Sequence, residues 1–179
     1  MRPLFGTRGL PADVHASWRR SVSERGGAST RILAWARGQD GYAVGSPAVL
    51  SLGGAGGDDW RHVGWHEIEH GGWNAESRSL SWTLYGGRRG RMELAEPARL
   101  PELFRERVAA SIAVERFVAI QGERGVTVTA RRDLGAAGTL SWHSTLTRGL
   151  SWSTDGVADQ VAQAAADLQS EYGTTPQGW

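Results

Sequence analysis

The segment LSWTLYGGRRGRMEL, residues 80–94, decides the fold class of this chain. Apolar and polar residues alternate from Leu80 to Tyr85, which is the period of a strand with one buried face. The glycines that follow turn the chain into a second run, in which Met92 and Leu94 would point inward. The pattern therefore predicts an antiparallel hairpin with one face on a hydrophobic core.

Runs with strand character continue on both sides of this hairpin. They are short and are separated by Gly, Pro, Asn, Asp and Ser. They cover residues 32–36, 42–44, 48–52 and 60–68 upstream, and 114–120, 126–131 and 139–146 downstream. The downstream runs predict an antiparallel meander, with Thr127, Thr129 and Arg131 on its solvent face. We expect about eight strands.

Two segments have the helical period instead. Residues 101–112 begin with proline, which suits the first helical position, and place apolar side chains on one stripe. Residues 156–172 follow a cap at Thr154 or Asp155 and end before a glycine. The sequence thus predicts an α+β protein, in which a bent antiparallel sheet or barrel is packed by these two helices.

The length of 179 residues corresponds to one domain. Residues 1–30 are rich in Arg, Gly and Ser and lack an apolar period, so we expect a flexible N-terminal segment. Within it, the stretch from Asp13 to Val22 has the spacing of one short helix. Residues 31–173 are expected to form a single α+β domain, and residues 174–179 a tail.

The charge is unevenly distributed along the chain. All 20 basic residues are Arg, a bias that we attribute to a GC-rich genome. Residues 1–31 hold six Arg and two acids, a net charge of +4, whereas the remaining fourteen Arg face seventeen acids, a net charge of −3. Domains that bind nucleic acid usually have a basic body, so we do not expect nucleic acid as the partner.

The composition bears on location and on cysteine chemistry. Cysteine is absent, which excludes disulfides, thiolate nucleophiles and Cys-ligated metals. No stretch approaches the roughly 18 apolar residues of a membrane span, and no secretory signal is recognisable. We expect a cytoplasmic protein without a transmembrane segment.

Residues 66–70, HEIEH, match the H-E-x-x-H motif. In zinc-dependent hydrolases this motif lies on a helix, where both imidazoles bind one metal ion and the Glu activates its water. Here glycines flank the motif, and its aromatic and β-branched neighbours favour a strand. In an extended chain His66 and His70 would lie ~13 Å apart. We expect a strand edge and no metal site; a zinc hydrolase using His66, Glu67 and His70 is the alternative.

Most of the nine Trp have a structural explanation. Four lie within predicted strands and are expected in the core: Trp35, Trp65, Trp82 and Trp142. Three lie near predicted loops and are the candidates for a ligand groove: Trp60, Trp73 and Trp152.

Arg88, Arg89 and Arg91 in the glycine-rich turn suit a phosphate or an acidic peptide, although solvated loop charge is the commoner meaning. The same holds for Arg131 at the end of a predicted strand. Ser141 and Ser144 flank His143, but neighbours on a strand point to opposite faces, so no hydroxyl–imidazole relay is expected.

Several strands together resemble the strand order of bacterial pleckstrin-homology-like (PH-like) domains. They are ILAWA at 32–36, the run at 48–52, WRHVGWHEI at 60–68 and the hairpin strand at 80–84. The resemblance covers residues 31–112 and implies a short barrel closed by the helix at 101–112. Residues 113–173 would then be a βββα extension. The basic lipid-binding loop of eukaryotic members has no counterpart, so lipid binding is not carried over.

This resemblance implies a scaffold for protein or peptide interaction. We therefore expect a non-enzymatic interaction or regulatory module, with a protein or peptide as partner and no cofactor. A small-ligand carrier that uses the interior of the bent sheet is the second alternative.

Overall fold

The computed structural model describes residues 9–25, 29–54, 56 and 59–172. The first eight residues and the predicted tail at 174–179 lie outside this part of the chain. The described residues form two antiparallel sheets and three α-helices. The predicted α+β class with a bent antiparallel sheet is confirmed.

Seven strands form a curled sheet, which we call the half-barrel. They are β1 Ala34–Gly38, β2 Gly41–Gly45, β3 Val49–Gly54, β4 Arg61–Gly64, β5 Ile68–Asn74, β6 Ser79–Leu84 and β7 Arg89–Glu96. Their order is β4-β3-β2-β1-β7-β6-β5, so the first strand pairs with the last. The sheet opens between β4 and β5, which are joined by one turn of 3₁₀ helix, Trp65–Glu67.

Helix α2, Leu100–Ala110, closes the half-barrel. Leu103 and Phe104 are buried among the inward side chains of the strands, and the Phe104 ring meets that of Trp65 edge to face. A Cβ at Gly45 would lie 2.4 Å from the Leu103 side chain, so this glycine allows α2 to pack directly on β2. Aromatic and aliphatic side chains thus fill the interior.

A second layer follows α2. It consists of β8 Ile112–Gln121, β9 Arg124–Arg132 and β10 Leu140–Leu146, with β9 in the centre. Helix α3, Val157–Tyr172, covers one face of this three-stranded sheet. Its contacts are apolar and form a separate core of Val126, Val128, Val157, Val161 and Leu168.

The opposite face of the three-stranded sheet is turned towards the half-barrel. Thr129 and Arg131 of β9 are only 5% and 2% exposed. The predicted solvent face is therefore wrong for these two residues. Polar side chains suit solvent in a period-two pattern, but here Arg131 donates hydrogen bonds to Tyr85 Oη and to the carbonyls of Ile68 and Glu69 in the half-barrel.

The described residues contain ten strands instead of about eight. The sequence predicts one strand over residues 60–68, whereas the 3₁₀ turn divides these residues between β4 and β5. The predicted helices at 101–112 and 156–172 are confirmed as α2 and α3, with α2 ending two residues earlier.

Ala12–Glu24 form a third helix, α1, which confirms the short helix predicted from Asp13 to Val22; the expected flexibility of the N-terminal segment does not hold there. Trp18 and Val22 on this helix are completely buried. They pack on the outer face of the half-barrel, against Val44 and Val49. One apolar stripe is enough to hold the helix in place, although the segment as a whole has a polar composition.

A polar contact also connects α1 to the half-barrel. The imidazole of His62 in β4 lies between two hydroxyls, with Nε2 2.9 Å from Ser21 Oγ on α1 and Nδ1 2.8 Å from Ser51 Oγ on β3. Burial and, next, the charge of Arg25 lower the pKa of His62. A neutral imidazole, which donates one hydrogen bond and accepts one, fits this position.

We expect the protein to lose stability as the pH falls below about 6.5, the ordinary pKa of an unfolded histidine. The folded-state pKa of His62 is lowered, so the unfolded state binds its proton first and the free energy of unfolding decreases in this interval. Urea unfolding at about pH 7.5 and about pH 5.5 measures the decrease. His62→Gln should weaken this dependence but not abolish it, because His143, described below, acts in the same direction. An unchanged dependence would contradict the role of His62.

Candidate functional site

The outer face of β5, β6 and β7 is open to solvent. Helix α1 covers the outer face of β2 and β3, and the three-stranded sheet packs at the end of β6 beside Tyr85. Ser81, Arg89 and Arg91 on the outer face are exposed. This part of the half-barrel is available to a partner.

Two rows of side chains cross this open face. Each row joins opposite residues of β5, β6 and β7: His70, Thr83 and Arg89 in one, Gly72, Ser81 and Arg91 in the next. Opposite side chains on one face lie about 5 Å apart. The rows therefore place two guanidinium groups and an imidazole around small residues, and they enclose a depression of about 420 Å³, which we call the basic depression.

The floor of the basic depression is closely packed. Trp82 points into the half-barrel and is 6% exposed. A Cβ at Gly90 would lie 2.2 Å from the indole ring of Trp82, so glycine is needed where the ring lies directly beneath the strand. Backbone and indole thus support the exposed basic side chains.

Basic groups dominate the rim of the depression. The side chains of His70 and Arg91 are 70% and 58% exposed. Arg91 Nη2 lies 3.3 Å from Glu93 Oε1, and His70 Nδ1 lies 3.8 Å from Glu69 Oε2. Arg89 has no carboxylate partner among the residues that the structure describes. The surface therefore retains positive charge that a ligand can neutralise.

A second concavity, the junction cleft, lies between the half-barrel and the three-stranded sheet and has a volume of about 350 Å³. Side chains from the 3₁₀ turn, the β6–β7 connection and β10 line it, and the polar ones are His66, Glu67, Tyr85, Arg88, Ser141 and His143. Arg88 lines this cleft, and the next residue, Arg89, lines the basic depression. The cleft therefore continues the open face that carries the basic depression.

The wall of the junction cleft is built around His143 of β10. Its ring stacks on that of Tyr85, with centroids 3.6 Å apart and planes 7° apart, and its Nε2 lies 3.1 Å from Ser141 Oγ. The pKa of His143 is lowered by burial and then by the charge of Arg131; Glu69 opposes this effect and His66 adds to it.

Arg131 holds the two layers together behind this wall. Its Nε donates to Tyr85 Oη at 3.0 Å, and its Nη atoms donate to the carbonyls of Ile68 and Glu69 at 2.9 and 3.1 Å. Further bonds reach the Val108 carbonyl and Ser111 Oγ. Arg131 is buried, and these protein groups take the place of water around its charge. The prediction of a solvated charge is therefore wrong for Arg131.

The H-E-x-x-H segment does not form the helix that the zinc interpretation requires. His66 and Glu67 belong to the 3₁₀ turn and His70 to β5, so the predicted continuous strand is also wrong at residues 65–67. His66 Nδ1 lies 3.7 Å from Asp133 Oδ1 in the junction cleft, whereas His70 lies on the rim of the basic depression. Across the described ranges, no three His, Cys, Asp or Glu side chains lie close enough to hold one metal ion.

The sequence predicts no hydroxyl–imidazole relay at Ser141, His143 and Ser144, yet the structure brings two of these residues together. Ser144 is not part of the contact, but Ser141 and His143 are two residues apart on β10 and hydrogen-bonded. The sequence argument is therefore wrong for Ser141, because residues at i and i+2 of a strand share a face. That spacing is the sequence signal for the wall of the cleft, whereas no pattern in the sequence indicates the stacking role of Tyr85 or the burial of Arg131.

The tryptophans named in the sequence analysis differ in how deeply they are buried. Trp65 and Trp82 are buried in the half-barrel core, which confirms the prediction for them, while Trp35 and Trp142 are half-buried at the edges of two other clusters. Of the groove candidates, Trp60 and Trp73 pack against core clusters, and Trp152 is 53% exposed.

Comparisons of this chain with protein-family models, with curated proteins and with solved structures found no match. Among the described residues, no helix has the length and apolar character needed to cross a membrane.

Proposed function

We propose that this protein is a non-enzymatic interaction module that binds an acidic segment of a protein partner on the outer face of β5, β6 and β7. The observation that carries the proposal is the cross-strand placement of His70, Arg89 and Arg91 around the basic depression. All three side chains are exposed, and among the residues that the structure describes Arg89 has no carboxylate nearby, while His70 and Arg91 each have one.

Carboxylates suit these groups chemically. A guanidinium presents parallel N–H donors that match the two oxygens of an Asp or Glu side chain. The hydroxyls of Ser81 and Thr83 lie in the same rows and offer further hydrogen bonds. An extended acidic peptide lying across the face would meet both rows.

The scaffold supports the same proposal. The half-barrel is an antiparallel meander in which β1 pairs with β7, and it is closed by the helix that follows the last strand. This order is the one that the sequence resemblance implies for a PH-like domain, and we propose that the half-barrel is such a scaffold. The three-stranded sheet and α3 are then an added layer.

A peptide is favoured over nucleic acid by the charge of the whole chain. Outside residues 1–31 the net charge is −3. Nucleic acid binding requires neutralisation of many phosphates along a basic track, whereas one or two acidic side chains need only a local cluster.

We expect a peptide with two glutamates two positions apart, flanked by Gly and Ser, to shift the amide NMR signals of β5, β6 and β7. The double variant Arg89→Ala/Arg91→Ala should weaken binding about tenfold, since two partly exposed ion pairs each contribute up to about 1 kcal/mol. The affinity should also fall with added salt, because exposed charges are screened. Calorimetric titration measures both effects.

The matched control is Arg61→Ala/Arg105→Ala. These arginines are exposed and lie on β4 and α2, away from the open face, and their removal changes the net charge by the same amount. Equal binding of a peptide with Gln in place of Glu would refute the proposal. So would a single-stranded oligonucleotide or an anionic vesicle that occupied the same face while the acidic peptide did not.

A further inference from the structure

We infer that strand β8 is the edge through which two copies of this chain associate, antiparallel and about a two-fold axis. The two three-stranded sheets would then form one continuous sheet, with the α3 helix of each copy on the same face. This inference goes beyond the proposed function and does not rest on it, because β8 and the basic depression belong to different sheets.

Strand β8 is a long and largely exposed edge. It has 10 residues, and among the described residues its one strand neighbour is β9. Four large hydrophobic side chains are exposed in the described ranges, and three of them lie on β8 or at the end of α3: Ile112, Phe117 and Tyr172. Native edge strands are usually short or carry Lys or Pro, neither of which occurs in β8. An edge of this kind favours pairing with another strand.

The hydrogen bonds of β9 show which backbone groups of β8 remain open. Near the start of β9, the Gly125 N–H donates to Thr147 Oγ1 at 3.2 Å and the Gly125 carbonyl accepts the Thr147 N–H at 2.9 Å, so both groups face the β10 side. At the other end, the Arg132 N–H donates to the Ser111 carbonyl, just before β8, at 2.7 Å. Backbone groups alternate between the two edges along a strand. Odd-numbered residues of β9 therefore bond towards β10 and even-numbered ones towards β8.

The alternation along β9 determines that of β8. Even-numbered residues of β9 lie opposite three residues of β8, whose backbone groups are used within the sheet: Val114, Arg116 and Val118. Three other residues direct their N–H and C=O groups to the open edge instead: Glu115, Phe117 and Ala119. The register shifts of the β8–β9 pair lie outside this stretch, near the two ends of β8. The middle of the open edge is therefore regular.

A second copy of β8 fits this edge in one register. In antiparallel pairing about a two-fold axis, the residue at the axis lies opposite itself, so an axis at Glu115 or Arg116 would oppose like charges. An axis at Val118 avoids this but leaves Glu115 without a hydrogen-bonded partner. An axis at Phe117 places the two rings opposite each other and Glu115 opposite Ala119 of the second copy. All the outward-facing residues then pair and form about six hydrogen bonds, a number within the range of known interfaces.

The face of the strand away from α3 carries an aromatic ring at the axis. Phe117 is 51% exposed, and a Cβ at Gly125 would lie 2.8 Å from its ring, so the ring lies over this glycine of β9. Two such rings on opposite strands form a cross-strand aromatic pair, which stabilises a sheet.

The face that carries α3 has an apolar groove of about 380 Å³ between this helix and β8. Its apolar lining consists of Val118, Ala119, Ile120, Ala164 and Leu168. With the axis at Phe117, Val114 lies opposite Ile120 of the second copy, so the two grooves adjoin. Arg116 Nη1 donates to Glu171 Oε2 at 2.9 Å, and each Arg116 therefore approaches the axis as a neutral pair. Association covers apolar surface here without leaving the charge of Arg116 unpaired.

Sedimentation of the full chain measures its mass in solution. We expect the mass to rise from the 19.3 kDa of one chain towards twice that value as the concentration increases from about 1 to about 300 µM, an interval that suits a small interface. A mass that stays at one chain throughout, or that rises beyond two chains, overturns the inference.

Charge substitutions test the register, because residue 117 meets itself across the axis. Phe117→Lys and Phe117→Glu should each weaken association at least about tenfold, since each removes the aromatic pair and opposes like charges. An equimolar mixture of the two variants should associate about fivefold more tightly than either variant alone, because Lys then meets Glu. This recovery also shows that both variants fold.

The matched control is Ala75→Lys. It adds the same charge as Phe117→Lys at an exposed position between β5 and β6, in the other sheet, and should leave the association constant within about twofold of its original value. Equal weakening by Ala75→Lys and Phe117→Lys, or a mixture that gains nothing over the single variants, contradicts pairing through β8.

Hydrogen exchange identifies the paired residues directly. The amides of Glu115, Phe117 and Ala119 should exchange at least about tenfold more slowly at about 300 µM than at about 1 µM. Those of Arg116 and Val118 bond to β9 and should be protected at both concentrations. A dimer in which the outward amides gain no protection uses another surface, and protection already complete at about 1 µM shows that this edge is covered within one chain. Either result refutes the inference.

Discussion

Replacing Arg131 by methionine is expected to lower the free energy of unfolding by about 3–5 kcal/mol, because several buried acceptors lose their charged hydrogen-bond donor. Arg131 is 2% exposed. Its guanidinium donates to five groups: three in the half-barrel, on Ile68, Glu69 and Tyr85, one in α2, the Val108 carbonyl, and one just after α2, Ser111 Oγ. Methionine fills much of the same volume but donates no hydrogen bond. The carbonyls of Ile68 and Val108 would then be left buried with fewer donors, each at a cost of about 1–3 kcal/mol.

Urea unfolding of the two proteins measures this loss, and Arg132→Met is the matched control. Arg132 is the next residue on β9 and is exposed, so its replacement should change the free energy of unfolding by no more than about 0.5 kcal/mol. If the two substitutions cost the same, Arg131 does not hold the layers together. Loss of the His143–Tyr85 stack, seen as a changed histidine NMR signal, would accompany the expected result.

The behaviour of β9 shows what period-two reasoning can and cannot predict. The alternation of Val126 and Val128 with Thr127 and Thr129 correctly separates the two faces of the strand. It cannot tell whether the polar face meets water or another polar layer. Hydroxyl and guanidinium groups suit both environments, and the difference depends on which distant segments the fold brings opposite.

The H-E-x-x-H segment illustrates a second limit. Its glycines and aromatic neighbours argue correctly against a helix of several turns. In the 3₁₀ turn Glu67 accepts the backbone N–H of Gly64, and the backbone N–H of Ile68 donates to the Trp65 carbonyl. Because of this turn, His66 lies in the junction cleft and His70 lies in the basic depression. The two histidines of the motif are therefore in different sites.

The sequence shows that arginines cluster in the β6–β7 hairpin, but it does not show which side chains lie beside them in the sheet. Arg89 and Arg91 are separated by one residue and so share a face of β7. Arg89 and Arg91 lie opposite Thr83 and Ser81 on β6, and Thr83 in turn lies opposite His70 on β5. This register is set by strand pairing, which a single sequence does not specify. The location of α1 also decides which part of the outer face is open. This helix covers the outer face of β2 and β3 and leaves that of β5, β6 and β7 exposed.

Replacing Trp18 by alanine is expected to destabilise the docking of α1 by about 3–5 kcal/mol, the cost usual for a fully buried Trp. The helix has 13 residues, a length that is marginal for an isolated helix in water. It is held by one apolar stripe, by the His62–Ser21 contact and by the bond from Trp60 Nε1 to Ser17 Oγ. Without Trp18 these polar contacts should not keep it folded.

Hydrogen exchange distinguishes this local effect from global unfolding. The amides of Ala12–Glu24 should exchange at least about a hundredfold faster in Trp18→Ala, while those of β2 and β6 keep most of their protection. Trp152→Ala is the matched control, because its side chain is 53% exposed and its loss should leave α1 unaffected. Protection of α1 that survives Trp18→Ala would show that the indole is not what anchors the helix. Equal loss of protection in all strands would instead make α1 part of the cooperative core.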